Sequence, residues 1–284
     1  MAYYPYLIAS LPEPVKHGRF SEENLDAARE AIWTNLQAQH QQAFTFLLWP
    51  DDLAFLQYAI FQKVKHWKHL PEGRPGTLDQ NQLAMYNQYK YAFPDFLFQF
   101  LHDHENNFEQ WTEREITQQL YGYFFEAVQH CQVGFIREWL QFERDLQNLV
   151  IFFQAGQYGF SVQDELVPDP LLTPMLLQGR ANEKKLYSLF PFMERLKDTL
   201  VREDPVRTAS LLRDLKWEKL DELAGYLPFT TEQVFALYLK LQLMAQHQTL
   251  ADGKANPESV KKGKSWREKR ISQALQQLEF PSKK

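Results

Sequence analysis

The chain has 284 residues, of which 44% are hydrophobic and 24% charged, with a net charge of −5 at pH 7. A chain this long buries about three quarters of its unfolded surface without a disulfide or metal staple, and its single cysteine, Cys131, excludes an intramolecular disulfide and a Cys-rich zinc site. The acidic balance argues against general nucleic-acid binding, no run approaches the ~20 apolar residues that span a bilayer, and the start MAYYPYLIASLPEP lacks the basic n-region of a signal peptide.

Leu and Gln are abundant while Val and Ile are few, which favours helix over strand and predicts an all-α fold of helical bundles. Residues 1–20 hold three prolines and are expected to be extended or irregular. A first helix is expected from Ser21 as N-cap, with Leu25, Ala28, Ile32 and Leu36 on one face. A second is expected over 51–67, aligning Leu53, Leu56, Ile60, Val64 and Trp67. Pro and Gly mark a loop at 69–82, followed by short helices over 82–91 and 94–105.

Thr112 and Glu115 form a capping box that opens the longest helical pattern. Carried unbroken to Gln154 it would measure about 64 Å at 1.5 Å per residue. A globule of this length is only about 50 Å across, so a kink or break near Gly122 or Gly134, or else an elongated molecule, is expected, and AGQYG at 155–159 ends the pattern. The stretch 161–181 is Pro-rich and predicts a connection between an N-terminal helical region, 1–160, and a C-terminal one, 182–284. A single continuous domain is the alternative. Later helices are signalled by Asn182, by Asp204 before Pro205, by Thr230 with Gln233, and by Asn256 before Pro257.

The segment 253–284 carries nine Lys and Arg against three Glu. Lys261, Lys262, Lys264, Arg267, Lys269 and Arg270 surround Trp266, while Val260, Ile271, Ala274, Leu275 and Leu278 share an apolar face. A solvated surface helix is one reading. The functional reading is an electrostatic contact with an acidic partner surface.

Candidate chemistry is sparse. His102, His104 and Glu105 lie close in sequence, but an i, i+2 pair diverges by about 200° on a helix and cannot point to one metal centre. Glu126 and His130 share a face without a second such pair. Cys131 has the setting of a buried structural thiol. No phosphate loop, GxSxG or HExxH is present. These observations predict no catalytic, cofactor-binding or metal-binding residue.

The most informative stretch is REWLQFERDLQNLVIFFQAGQYG, 137–159. At 100° per residue Trp139, Phe142, Leu146, Leu149, Val150 and Phe153 share a face. From Leu149 to Phe153 the helix is apolar all round, so several neighbours should bury it. Asp145 and Asn148 stand at the entry to that half and are expected to hydrogen-bond a neighbouring helix and fix its register. A faint repeat links DDLAFLQYAIF (51–61), RDLQNLVIFF (144–153) and, more weakly, DLKWEKLDEL (214–223).

This stretch, with YYPYLIASLPE near the start and DLKWEKLDELAGYLPFTTEQVFALYLKLQLMAQHQTL near the end, resembles an uncharacterised bacterial family encoded beside V-type ATPase subunits. That family in turn resembles the central-stalk connector of the V/A-type ATPases. The resemblance implies an all-helical funnel of three related bundles that sits on the membrane ring and receives the central shaft. It carries over Asp145, Leu146 and Asn148 as a structural motif. The sequence departs from the pattern at Phe55, Trp217 and Gln154. The implied function is a non-catalytic coupling subunit, with the shaft and ring subunits as partners. The resemblance further implies no cofactor and no nucleic-acid partner, and a peripheral, cytoplasmic place at the inner face of the membrane. Two other classes stay open. One is a helical ligand-binding protein or enzyme with a site assembled from distant residues. The other is an adaptor using its basic C-terminal helix for nucleic acid or anionic lipid.

Overall fold

The computed structural model describes residues 2–16, 18–66, 75–163, 165–202 and 204–255. The described chain is all-helical, and its one extended pairing is an isolated antiparallel bridge between Tyr3 and Thr230. It divides into two compact units. One holds Met1–Ala84 with the described chain from Tyr226, and the other is Met85–Gly225.

The first unit begins with α1 (Pro5–Ser10), α2 (Glu22–Asn35), α3 (Ala38–Lys65) and α4 (Gln80–Ala84). Helix α1 falls where an irregular segment is expected. Pro5 occupies its first turn, where the missing N–H costs no hydrogen bond. Ser21 caps α2 by accepting the Asn24 N–H, as its position predicts. Helix α3 starts thirteen residues earlier than periodicity suggests and runs through Pro50. Proline removes one intrahelical donor, but Phe44, Leu47, Leu48, Leu53 and Leu56 are buried on both sides of it, and that packing outweighs the lost bond.

A fully buried carboxylate fixes the return from α3. Asp52 accepts the Thr77 N–H (2.9 Å), the Thr77 hydroxyl (2.7 Å) and the Leu78 N–H (3.0 Å). Arg29 of α2 donates to the Gly76 carbonyl beside them. Gly76 lies against the Leu48 carbonyl so closely that a Cβ there would overlap it. Burial pushes the Asp52 carboxyl above its ordinary range, and the donors of Thr77, Leu78 and Gly76 pull in the opposite sense.

The second unit contains α5 (Tyr86–Tyr89), α6 (Asp95–His104), α7 (Glu113–Gln129), α8 (Gly134–Tyr158), α9 (Leu172–Leu177), α10 (Glu183–Leu189), α11 (Met193–Val201) and α12 (Pro205–Ala224). The chain then returns to the first unit as α13 (Thr231–Ala255), which packs on α2 and sets Phe235 and Tyr238 against Phe44 of α3. The capping box at Thr112 and Glu115 is formed in full. The long pattern it opens breaks at His130–Val133, just before Gly134, while Gly122 lies inside α7. Gly159 ends α8 in the left-handed region at φ 74°. Asp204 caps α12 through the Val206 and Arg207 amides.

Helix α8 is the centre of this unit, in contact with α7, α9, α11 and α12. The Pro-rich stretch 161–181 lies inside the unit rather than at its edge: it contains α9 and packs on α8. The basic stretch with Lys261, Lys262, Lys264, Trp266, Arg267, Lys269 and Arg270 lies outside the described residues, as does the helix expected after Asn256. No described helix is long and apolar enough to cross a membrane.

The Asp52 clamp yields a direct expectation. Asp52→Ala strips three donors of a charged acceptor in a closed interior and should lower stability by about 2–4 kcal/mol. Gly76→Ala should also destabilise, by displacing the same loop from α3. Urea unfolding midpoints of both variants check this, and midpoints equal to that of the unaltered protein would contradict the clamp.

Candidate functional site

Helix α8 concentrates the buried polar groups of the second unit. Asn148 has no exposed surface and clamps one residue at two points. Its Nδ2 donates to the Val167 carbonyl and its Oδ1 accepts the Val167 N–H, each at 2.9 Å. One turn earlier, Arg144 pairs with Asp169 and donates to the Pro168 carbonyl at 3.5 Å. Its guanidinium carbon lies 4.8 Å from the centroid of the Phe125 ring of α7, a cation–π contact.

Asp169 carries the chain onward. Its carboxylate accepts the N–H groups of Leu171 and Leu172, and its own N–H donates to Thr173 Oγ1 at 3.0 Å. From α7, Gln118 reaches the Leu166 carbonyl at 3.4 Å and Arg114 pairs with Glu165. Residues 165–172 thus form a strap laid over α8 and held by side chains rather than by a strand partner. The sequence predicts a bond from Asp145 and Asn148 to a neighbouring helix. Asn148 instead holds the backbone of a loop, and Arg144 supplies the second grip.

Asp145 is oriented differently. It is buried, yet its Oδ1 has no hydrogen-bond partner among the described residues. The nearest cationic atom is Arg144 Nε at 4.0 Å, too long for a hydrogen bond, and that nitrogen is also without one. Burial pushes the Asp145 carboxyl up to about 7, Arg144 pulls it down, and Asp169 adds a further upward push. Leu146 of the same motif is buried in the core.

The same local arrangement recurs on α12. Arg213-Asp214-Leu215 repeats Arg144-Asp145-Leu146, and Arg213 Nε again stands 4.0 Å from the carboxylate that follows it. Both arginines are buried, and α8 and α12 pack on one another, with Lys216 reaching Glu143 at 3.2 Å. The third copy of the repeat therefore begins one residue earlier than Asp214. The paired tripeptide is the signal in the sequence that identifies Arg144 and Arg213.

The other candidates are dispersed. His104 sits among Phe100, Trp111 and Tyr123, whose hydroxyl lies 3.2 Å from its Nε2 and donates to Asp103 at 2.7 Å. Tyr123 is pushed up to about 12, by burial first and then by that bond to Asp103. His102 stacks on Phe98 and Glu105 pairs with Lys90 at 2.7 Å, so the three residues of the HDHE stretch go three ways. Glu126 and His130 are exposed. Cys131 is buried, and burial raises its thiol, which disfavours the nucleophilic thiolate. Among the described residues no group of three His, Cys, Asp or Glu side chains is placed to hold a metal ion.

The clamp at Asn148 makes a clear expectation. Asn148→Ala leaves the Val167 N–H unpaired in the interior and its carbonyl with only the longer bond from Thr173 Oγ1 (3.4 Å), at a cost of about 1–3 kcal/mol. A urea midpoint unchanged from that of the unaltered protein would show that the strap is not held this way.

No curated protein matches this chain, and no solved structure does. A family described as "Protein of unknown function (DUF2764)" matches residues 1–262, nearly the whole chain, and the chain belongs to that family.

Proposed function

We propose that this chain is a non-catalytic component of a V-type ATPase, similar to the central-stalk connector that links the rotor shaft to the membrane ring. On this reading it lies at the inner face of the membrane as a peripheral protein, and its partners are the shaft and ring subunits. The observation that supports the reading most is the repeated use of one motif on three long helices. Asp52-Leu53 on α3, Arg144-Asp145-Leu146 on α8 and Arg213-Asp214-Leu215 on α12 set their leucines fully or almost fully inside the core. In the first two copies the polar groups of the motif hold a returning loop 19 to 26 residues later. Helical modules that share such a device are what a pseudo-repeated connector requires. Arg144 and Asn148 of α8 are engaged in that support, as expected of a part that transmits force rather than turns over a substrate.

Two measurements test the reading. A tagged full-length chain is expected to co-purify from membranes with the shaft and ring subunits of the V-type ATPase, and the isolated chain is expected to hydrolyse no nucleotide. Recovery of an intact, active ATPase lacking this chain would overturn the assignment. The basic segment offers a finer test. Changing Lys261, Lys262, Lys264 and Arg267 to Glu should slow association with the shaft or ring subunits and flatten its salt dependence, because exposed charges act mainly on the encounter rate. An association rate at low salt equal to that of the unaltered chain would reject an electrostatic contact there.

A further inference from the structure

The pair Arg144–Asp145 is more than a fixed support, because one guanidinium faces two carboxylates. Arg144 is bound to Asp169 and to the Pro168 carbonyl on the strap, while its Nε and the Asp145 Oδ1 stand 4.0 Å apart, each without a hydrogen-bond partner among the described residues. A small rotation of the guanidinium would close that gap and loosen its hold on the strap. The rest of the surroundings is quiet. Helix α9 carries no charged residue, and α7 contributes Glu113 in its first turn, Glu115 in its capping box, Arg114, engaged with Glu165, and the exposed Glu126. From α11, Arg195 and Lys197 pair at the surface with Glu218 and Glu183, and Glu194 and Asp198 are exposed. From α12, Lys216 pairs with Glu143, and Arg213 lies beside Asp214. On α8 itself Arg137 donates to the Cys131 carbonyl and Glu138 is exposed.

We propose that Asp145 and Arg144 form a proton-operated latch on the strap 165–172. With Asp145 neutral, Arg144 belongs to Asp169 and Pro168 and the strap is closed. With Asp145 charged, the guanidinium is drawn towards it, the grip on Asp169 weakens, and the strap opens more often. The strap carries Leu171, which is 72% exposed, so the latch governs the order of an apolar point on the surface of this unit. This device goes beyond the connector reading and does not depend on it.

The sign follows from the Asp145 carboxyl. It is raised to about 7 in the closed state and returns towards an ordinary value of about 4 when the strap opens and water enters. The closed strap therefore holds its proton more tightly than the open one. Closure is favoured below about pH 4 by the full difference, and that advantage is lost progressively as pH rises to about 7 and then levels off.

Amide hydrogen exchange on the full chain tests this at three reporters whose N–H groups the latch holds: Val167, bonded to Asn148, and Leu171 and Leu172, bonded to Asp169. After correction for intrinsic exchange, their protection is expected to fall at least about tenfold between pH 5 and pH 7.5, while the amides of Leu97 and Leu101 in α6 change little. In Asp145→Asn the three reporters should keep high protection at both pH values. Protection that is independent of pH in the unaltered protein, or a pH dependence that survives in Asp145→Asn, would overturn the latch. Should that variant fail to fold, a carbon-13 carboxyl titration of Asp145 in the unaltered protein decides: a midpoint near 7 supports the latch, and one near 4 sinks it.

Discussion

The second unit depends on how the backbone of Val167-Pro168-Asp169-Pro170, a stretch that buries Val167 and Asp169 and exposes its two prolines, is satisfied. Two prolines remove two donors and push the residues before them into extended conformation, so neither helix nor ladder can form. The remaining polar groups at 167–169 still need partners, since a buried orphan costs about 1–3 kcal/mol. Side chains supply them. Asn148 takes both groups of Val167, Arg144 takes the Pro168 carbonyl, and Thr173 accepts the Asp169 N–H. Remove α8 and the strap loses all of these hydrogen bonds except that of Thr173. Hence α8 is central in chemistry as well as in packing, and α9 starts where it does because Asp169 is already oriented by Arg144.

Charge burial at this point carries a cost that hydrophobic packing would avoid. Taking an ion pair out of water costs several kcal/mol per ion and is repaid only when geometry is good and the remaining polar atoms are bonded. Arg144 meets that condition on the strap side, with Asp169, Pro168 and the face of Phe125 around its guanidinium. It does not meet it on the Asp145 side, where Nε and Oδ1 face each other unbonded. An apolar replacement of Arg144 would leave Asp169 as a lone buried carboxylate and the Pro168 carbonyl unpaired. The pair is therefore locked in by the strap, and the residual imbalance falls on Asp145, whose carboxyl is raised as a result.

The helices and their starts are largely legible in the residues, and the reasons are local. Ser21, the Thr112–Glu115 box, Asp204-Pro205 and Gly159 act within a turn of where they stand, so their effect can be read from neighbours in sequence. Sequence and structure part where tertiary packing overrides a local cue. Pro50 looks like a stop, but the apolar side chains on both sides of it carry α3 through. Prolines at 168, 170 and 174 look like a linker, but side chains 19 to 25 residues away hold that segment inside a unit. Asn148 stands out in the sequence as polar in an apolar setting. Its partner does not, because nothing in the spacing distinguishes a neighbouring helix from a loop that returns over the same face.

The three Asp-Leu copies show how one device can be adapted to different returns. On α3 the carboxylate itself is the clamp, because the returning loop at Gly76–Leu78 offers consecutive N–H donors that an anion can accept. On α8 the returning strap offers a carbonyl at Pro168 and a carboxylate at Asp169, which repel an anion and need a cation and an amide instead. Arg144 and Asn148 supply these, leaving the motif's Asp145 without the role its counterpart Asp52 fills. Asp51 and Phe55 stand in the first copy where Arg144 and Asn148 stand in the second, and neither could serve that strap. The side chains around the first two copies thus follow the polarity of the loop that comes back to each, while the leucine that follows each Asp stays in the core in all three.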